Sequence, residues 1–308
     1  MKIFIIGHNN PDVDSIISSI VLKDYLEKTK MFDFVEAKKT AELNKETKFV
    51  LKYFKVKEPE LVKNIKNKKV FLVDHSGYDE SIFGVEQAEI VGVLDHHKLS
   101  GLKTLLPIFY RAEPLGATSS ILAKMFLERK IILSKKQAGL LLAGILSDTL
   151  NLCSPTTTLE DKKIVKILTN ISKENPQKLG KKILDIKSDI KDISTLELLQ
   201  KDYKEFKSGK IKFGIGVCEL LNTEKAKDRD FKPYLEKLKK QRKVDFIFFA
   251  LIDIINNNTE LFLLEKEKEI AEKVFKNKTQ GSYLFLQGIS SRKKQILPPL
   301  AKFLEKND

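Results

Sequence analysis

Short apolar runs alternating with stretches of helical periodicity set the strongest limit on how this chain can fold. Lys2–Gly7, Lys69–Val73 and Glu89–Leu94 are β-branched and apolar through most of their length. Ser15–Lys28, Thr118–Glu128 and Lys136–Leu150 instead repeat their apolar residues at helical spacing, with polar, Lys-rich stretches between. Strands without polar alternation are buried on both faces, and strands separated by helices pair in parallel. The reading is an α/β fold whose N-terminal part is a mostly parallel sheet with helices on both faces. Sheets of this kind bind ligands in the crevice beyond the carboxyl ends of their strands.

The pattern restarts after a polar stretch, residues 188–194, in which Ile190 and Ile193 are the only apolar anchors. It is expected to be a linker between a domain of residues 1–187 and a smaller α/β domain of residues 195–308. A chain of 308 residues accommodates two domains of roughly 100–200 residues each. In the second domain Thr195–Phe206 reads as a helix, Ile211–Glu219 as a strand and Lys232–Arg242 as a Lys-rich helix. Val244–Ile255 and Glu260–Leu264 form a hairpin across Asn256, Asn257 and Asn258, because Asn tolerates left-handed geometry. A last strand, Tyr283–Gln287, precedes a closing helix from about Lys294.

The placement of histidine carries the chemistry. There are four, His8, His75, His96 and His97, and each follows an apolar run or sits beside an Asp at its end. The local sequences are Gly7-His8-Asn9-Asn10-Pro11-Asp12-Val13-Asp14-Ser15, Val73-Asp74-His75 and Leu94-Asp95-His96-His97. A further Asp148 ends a helical run. Any one of these is ordinary: a polar strand end, or a turn followed by an N-cap. Together they bring several carboxylates to one edge of a parallel sheet, where they repel unless cations lie between them. Oxygen-rich sites with a few imidazoles suit Mn²⁺, Mg²⁺ or Co²⁺ better than thiolate-seeking ions. Two such ions about 3.5–4 Å apart activate water for phosphoryl displacement.

Composition removes other classes. The net charge is +14, but only five of the 56 basic residues are Arg and the Lys are dispersed. That pattern solvates helix faces, so a nucleic-acid partner is disfavoured, whereas a small anionic substrate would be drawn in. No apolar run approaches the roughly 20 residues that span a bilayer. Cys153 and Cys218 form no CxxC pair and read as free thiols, and the N-terminal stretch reads as a strand rather than a leader. A cytoplasmic location without membrane attachment is the expectation.

With its NPDxDS core, Gly7–Ser15 resembles, together with Asp95-His96-His97, the signatures of the DHH phosphoesterase superfamily. Tyr110–Thr118, Ser147-Asp148-Thr149, Ser154-Pro155-Thr156 and Ser291-Arg292-Lys293-Lys294-Gln295 narrow the resemblance to the manganese-dependent (family II) inorganic pyrophosphatases. It covers essentially the whole chain. It implies a DHH domain followed by a DHHA2-like domain, and hydrolysis of a Mg²⁺–pyrophosphate complex by a bridging hydroxide. Two Mn²⁺ per subunit are implied, with Co²⁺ or Mg²⁺ able to substitute and further Mg²⁺ arriving with substrate.

By position, the resemblance gives His8 and Asp12 to a first metal and Asp14, His96 and Asp148 to a second, with Asp74 bridging. It makes Asp95 the orienting group for an imidazole, turns His97 toward the substrate, and gives Lys204, Arg292 and Lys293 to the phosphates. It also implies a homodimer through the N-terminal domain. This chain departs from the family where Ser76-Gly77 replaces the usual Asn-Glu after Asp74-His75, and where Val13 replaces Thr. The first change bears on the water network around the site. Two alternatives remain distinct: a DHH relative acting on oligonucleotides or polyphosphate, which would carry a Gly-rich GGGH-type motif not seen after Gly209, and a basic nucleic-acid binder, which leaves the Asp/His set unexplained.

Overall fold

The computed structural model describes every residue except Met1, Asp33, Ser100, Asn222, Lys227, Asn307 and Asp308. The chain divides into two compact units, Met1–Lys187 and Ser188–Asp308.

The first unit is built on six strands: β1 (Ile3–Ile6), β2 (Val35–Lys39), β3 (Glu60–Leu61), β4 (Lys69–Val73), β5 (Glu89–Asp95) and β6 (Phe109–Ala112). Their order is β3-β2-β1-β4-β5-β6, and every pairing is parallel. The order reverses between β1 and β4, which opens a crevice at their carboxyl ends. The expected α/β architecture is present, with one difference in how the sheet is covered. Helices α1 (Val13–Thr29), α2 (Lys45–Tyr53), α3 (Thr118–Glu128), α4 (Lys135–Asp148), α5 (Leu159–Ser172) and α6 (Pro176–Lys187) contribute to a single core. That core holds Ile3, Ile5, Phe71, Val73 and Leu94 from one sheet face. The opposite face, with Ile6, Val70, Leu72 and Val93, is closed by Ile65, Ile82 and Val85 from connecting segments and one 3₁₀ turn. Apolar connections can cover a face as well as a helix when each buried Leu, Ile or Val contributes about 1.5–3 kcal/mol.

The helix starts are set locally. Asp12 caps α1 by accepting the Ser15 N–H at 2.9 Å. Ser134 with Gln137, and Thr158 with Asp161, form reciprocal capping boxes at α4 and α5, each satisfying two otherwise orphaned donors.

The second unit carries a mixed sheet, order β11-β12-β10-β9-β8-β7. In chain order these are α7 (Thr195–Gln200), β7 (Asp202–Ser208), β8 (Ile211–Leu220), α8 (Lys232–Arg242), β9 (Phe246–Asp253), β10 (Asn258–Leu263), α9 (Glu265–Phe275), β11 (Thr279–Gln280), β12 (Tyr283–Leu286) and α10 (Leu297–Lys306). Helices α7 and α8 pack on one face with Phe249 and Leu251, and α9 and α10 on the other with Phe248, Ala250 and Ile252. The β9–β10 hairpin turns through Asn257 at φ 53.

The expected helix Thr195–Phe206 is corrected: the helix ends at Gln200 and β7 follows, paired antiparallel with β8. Tyr203 and Phe206 mimic helical spacing, yet an odd separation in a strand sends them to opposite faces. Tyr203 packs into the core under α7 and Phe206 into the one under α10. Within residues 188–194, Ile190 is buried in the second unit's core, and the Arg229 guanidinium donates to the carbonyls of Ile190 and Ile193.

Candidate metal centre

Three adjacent strand ends and two helices supply the centre. His8, Asp12 and Asp14 follow β1, Asp74 follows β4, and Asp95, His96 and His97 end or follow β5, so Asp74 emerges from the middle strand. Asp148 is the last residue of α4. Three groups of these side chains place their ligand atoms within 4.8 Å of one another: His8, Asp12 and Asp74; Asp14, Asp74, His96 and Asp148; and Asp74, His96 and His97. Asp74 belongs to all three. It is only 1% exposed and takes a left-handed φ of 63, a conformation that Asp tolerates better than most residues. Its Oδ1 accepts the Thr118 hydroxyl at 2.9 Å and lies 3.3 Å from His96 Nε2, while Oδ2 lies 3.5 Å from His8 Nε2.

Asp14 is held differently. Helix α3 has no side-chain cap of its own, and the buried Asp14 carboxylate fills that role, accepting the N–H groups of Thr118 at 2.6 Å and Ser119 at 3.0 Å. A carboxylate at a helix N-terminus is favoured by the orphaned amides and the helix dipole. His96 donates through Nδ1 to the Leu115 carbonyl at 3.0 Å, which leaves Nε2 facing Asp74 and, at 3.4 Å, Asp148. His97 is oriented by Asp95, whose Oδ1 accepts both its backbone N–H and its ring Nδ1–H at 3.0 Å. His75 stands apart: Nδ1 donates to the Val73 carbonyl and Nε2 accepts from the Ser81 hydroxyl.

The electrostatics are those of a crowded anionic site. Burial, then repulsion from Asp74 and Asp148, holds the Asp14 carboxyl well above its ordinary range. Burial and the nearby Asp12 carboxylate push Asp148 up to about 7. Burial also works against the charge on Asp74, but the imidazoles of His8 and His96 outweigh it and hold this carboxyl low. For His8 burial opposes protonation, yet the Asp12 and Asp74 carboxylates raise it to about 10, and Asp148 with Asp74 raises His96 to about 12. Protons are therefore the default counter-charge. Two ligand atoms aimed into the cluster are buried without a hydrogen-bond partner, Asp74 Oδ2 and His96 Nε2. Such atoms cost free energy unless a cation or proton satisfies them. A hard divalent ion fits both the orphaned atoms and the carboxylate–imidazole donor set.

The site opens into a cavity of about 220 Å³ lined by His8, Asn9, Asp12, Asp74, His97 and Asp148, among others. Sequence reasoning missed several contributors. Glu80 also lines this cavity, with a buried, unpartnered Oε2. Ser119 carries no motif signal of its own, since its backbone amide does the work, and the motif that ends at Thr118 does not by itself show that the Thr118 amide and hydroxyl hold Asp14 and Asp74. Gly144 was equally silent. A Cβ there would lie 2.3 Å from Ser119 Oγ and 2.8 Å from Asp14 Oδ1. Gly144→Ala is expected to destabilise the chain by about 1–3 kcal/mol through overpacking and to weaken Mn²⁺ binding. Thermal unfolding and a Mn²⁺ titration check this, and wild-type values in both would show that the contact is not tight.

Lys204, Arg292 and Lys293 belong to the second unit. Lys204 lies on β7 and its side chain is 63% exposed, and Lys293 is exposed too. The Ser291–Gln295 segment forms a π turn ahead of α10, in which Ser291 Oγ accepts the Lys294 N–H and Gln295 Oε1 accepts those of Ser290 and Ser291. The Arg292 guanidinium is bound to Asp202 and to two main-chain carbonyls.

Comparison with known proteins covers segments of both units. Residues 2–145 match the DHH family, N-terminal domain, and residues 181–303 match the DHHA2 domain. The manganese-dependent inorganic pyrophosphatase of Methanothrix thermoacetophila is 36% identical over 99% of each chain. That of Methanocaldococcus jannaschii is 38% identical over 97% of this chain and 98% of its own. A solved structure from Methanococcus jannaschii superposes with a TM-score of 0.66 over 98% of this chain and 99% of that one, at 36% identity. On this full-length similarity the chain belongs to the family of manganese-dependent (family II) inorganic pyrophosphatases, a DHH domain joined to a DHHA2 domain.

Proposed function

We propose that the protein hydrolyses inorganic pyrophosphate to two phosphates at a dinuclear centre in the first unit. The observation that carries this reading is the sharing of Asp74 by three ligand groups at adjacent strand ends, in a chain whose relatives are named manganese-dependent inorganic pyrophosphatases. His8 and Asp12 would hold one Mn²⁺, Asp14, His96 and Asp148 the other, and Asp74 both. Bound divalent ions supply an activated water and neutralise phosphate oxygens.

The chain's own residues do the rest. Asp95 keeps the His97 ring turned by its Nδ1–H bond, so that Nε2 is presented away from Asp95 and toward a substrate oxygen. Thr118 and the α3 amides fix the Asp74 and Asp14 carboxylates before any ligand arrives, which lowers the reorganisation needed for reaction. In the second unit, residues 195–308 with 188–194 leading into them, Lys204, Arg292 and Lys293 serve the charge of the phosphates, where positioning and neutralisation dominate catalysis.

Chelator-treated protein is expected to release no phosphate from pyrophosphate and to recover when Mn²⁺ is restored, with Co²⁺ and Mg²⁺ tested separately. Faster turnover of tripolyphosphate or of a dinucleotide would reassign the substrate, and turnover insensitive to chelation would end the metal reading.

A homodimer through the first unit is part of the proposal. Strand β6 is a sheet edge, and Leu105 and Leu106 beside it are 103% and 69% exposed, a combination suited to pairing with another chain. No helix among the described residues is long and apolar enough to cross a membrane. We assign the protein to the cytoplasm on its two unpaired thiols, Cys153 and Cys218, which suit a reducing compartment.

A further inference from the structure

We infer that Asp161 is a positioning residue for the metal centre, orienting His96 through a single peptide group and tying down the segment that fixes Asp14 and Asp74. This role rests on the metal reading above. Asp161 lies in the first turn of α5 and closes that helix's capping box, in which its Oδ2 accepts the Thr158 N–H at 2.8 Å and the Thr158 hydroxyl at 2.6 Å. Capping alone requires only groups at the helix start. Asp161 does more. It is fully buried, and Oδ2 also accepts the Gly116 N–H at 2.9 Å while Oδ1 accepts the Ser120 hydroxyl at 2.5 Å.

The Leu115–Gly116 peptide joins α5 to the centre. Its N–H points to Asp161, and its carbonyl accepts His96 Nδ1–H at 3.0 Å. A peptide group is planar, so its two ends cannot turn independently. The carboxylate at one end sets the direction of the carbonyl at the other, and the carbonyl sets the ring whose Nε2 faces Asp74 and Asp148. Hydrogen bonds in such a chain polarise one another. No side chain fits at 116, where a Cβ would lie 2.9 Å from Asp161 Oδ2 and 2.7 Å from Thr149 Cγ2. The Ser120 bond secures the first turn of α3, where the Thr118 hydroxyl meets Asp74 and the Thr118 and Ser119 amides meet Asp14. His8 and Asp12 are fixed elsewhere, by contacts of their own with Thr40 and Ser15.

The test is selectivity between two ions. Asp161→Ala should raise about tenfold the Kd of the Mn²⁺ held by Asp14, His96 and Asp148, the lower end of what losing a ligand-orienting partner costs, and leave the other ion within about twofold. Calorimetric titration of the chelator-treated protein with Mn²⁺ reads both. Added to His96→Ala, the same substitution should cost little further Mn²⁺ affinity, because both break one chain. Asp161→Asn keeps the size and one acceptor oxygen but loses the charge that strengthens these bonds, so its Kd should rise less, by roughly threefold. This variant decides if the Ala protein does not fold. Thr158→Ala is the control for a merely structural role. It weakens the α5 cap and lowers Tm, yet leaves Asp161 on Gly116, so both Mn²⁺ Kd values should match wild type.

Wild-type Mn²⁺ binding in the Asp161 variants, a loss shared equally by both ions, full additivity with His96→Ala, or an equal loss in Thr158→Ala overturns the inference. A wild-type protein that takes up no Mn²⁺ overturns the metal centre itself, which is a separate result.

Discussion

Asp74→Asn is expected to cut Mn²⁺-dependent phosphate release from pyrophosphate by at least about a thousandfold, the range seen when a group that organises transition-state charge is removed. The substitution is nearly isosteric. Asn keeps an oxygen that can accept the Thr118 hydroxyl, now at 2.9 Å, so the site's outline should survive. What disappears is a negative charge placed 3.3 Å from His96 Nε2 and 3.5 Å from His8 Nε2, at the one position common to every candidate ligand group. A neutral amide can neither bridge two divalent ions nor hold them close against their mutual repulsion. Loss of Mn²⁺ affinity should therefore accompany loss of turnover, with the circular dichroism of the metal-free protein unchanged. A variant retaining activity within tenfold of wild type would remove Asp74 from the centre. Asp12→Ala and His96→Ala should fall in the same direction, but they leave one ion with its remaining ligands.

Much of this site was legible because its residues lie at strand ends, where a short apolar run followed by Asp or His is visible in one dimension. Gly7-His8, Val73-Asp74 and Leu94-Asp95-His96 each carry that signal. A parallel sheet then converts three separated stretches into one edge. Contributors acting through the main chain were not legible. The Thr118 and Ser119 amides, as distinct from the Thr118 hydroxyl on Asp74, are matched to the Asp14 carboxylate only after α1 and α3 pack together. Glu80 lies in a connection with no periodicity to place it.

The same division runs through the fold. Helix α8, strand β4 and the β9–β10 hairpin follow their local patterns, whereas Thr195–Phe206 reads as one helix although it ends as strand β7, because the spacing of three between Tyr203 and Phe206 suits a two-faced strand and a helix alike. The resemblance identified Arg292 but could not show that Asp202 already holds it. That contact depends on β7 being a strand, the element the periodicity misassigned.

The second large effect is in stability, and its pH dependence follows from the carboxylates. In the metal-free protein, burial and the Asp12 charge raise Asp148 to about 7, from an ordinary 3.8. A carboxyl raised on folding binds its proton more tightly in the folded state. The stability it contributes is complete near pH 4 and is lost as pH rises to about 7. His8 and His96, raised to about 10 and 12 despite burial, contribute fully below their ordinary 6.5 and lose that contribution at higher pH. Asp74 runs the other way: held low, its contribution is present above the ordinary carboxyl value and fails only in strong acid. Between about pH 5.5 and 8 the losses point in one direction, and chelator-treated protein should lose stability on the order of a few kcal/mol.

Mn²⁺ needs these carboxylates deprotonated and the imidazoles neutral, so its binding releases protons and strengthens with pH. At roughly a thousand times its Kd a ligand adds about 4 kcal/mol. The rise in Tm on adding Mn²⁺ should therefore be larger at about pH 8 than at about pH 5.5, by several degrees for a domain in which 1 kcal/mol moves Tm by roughly 2–4 °C. Paired calorimetric scans at matched ionic strength, with chelator and with Mn²⁺, measure the difference. Asp148→Asn removes the main titrating carboxyl and should flatten the metal-free profile. A Mn²⁺ increment equal at the two pH values, or larger at the lower one, would mean that the ion does not bind through these side chains.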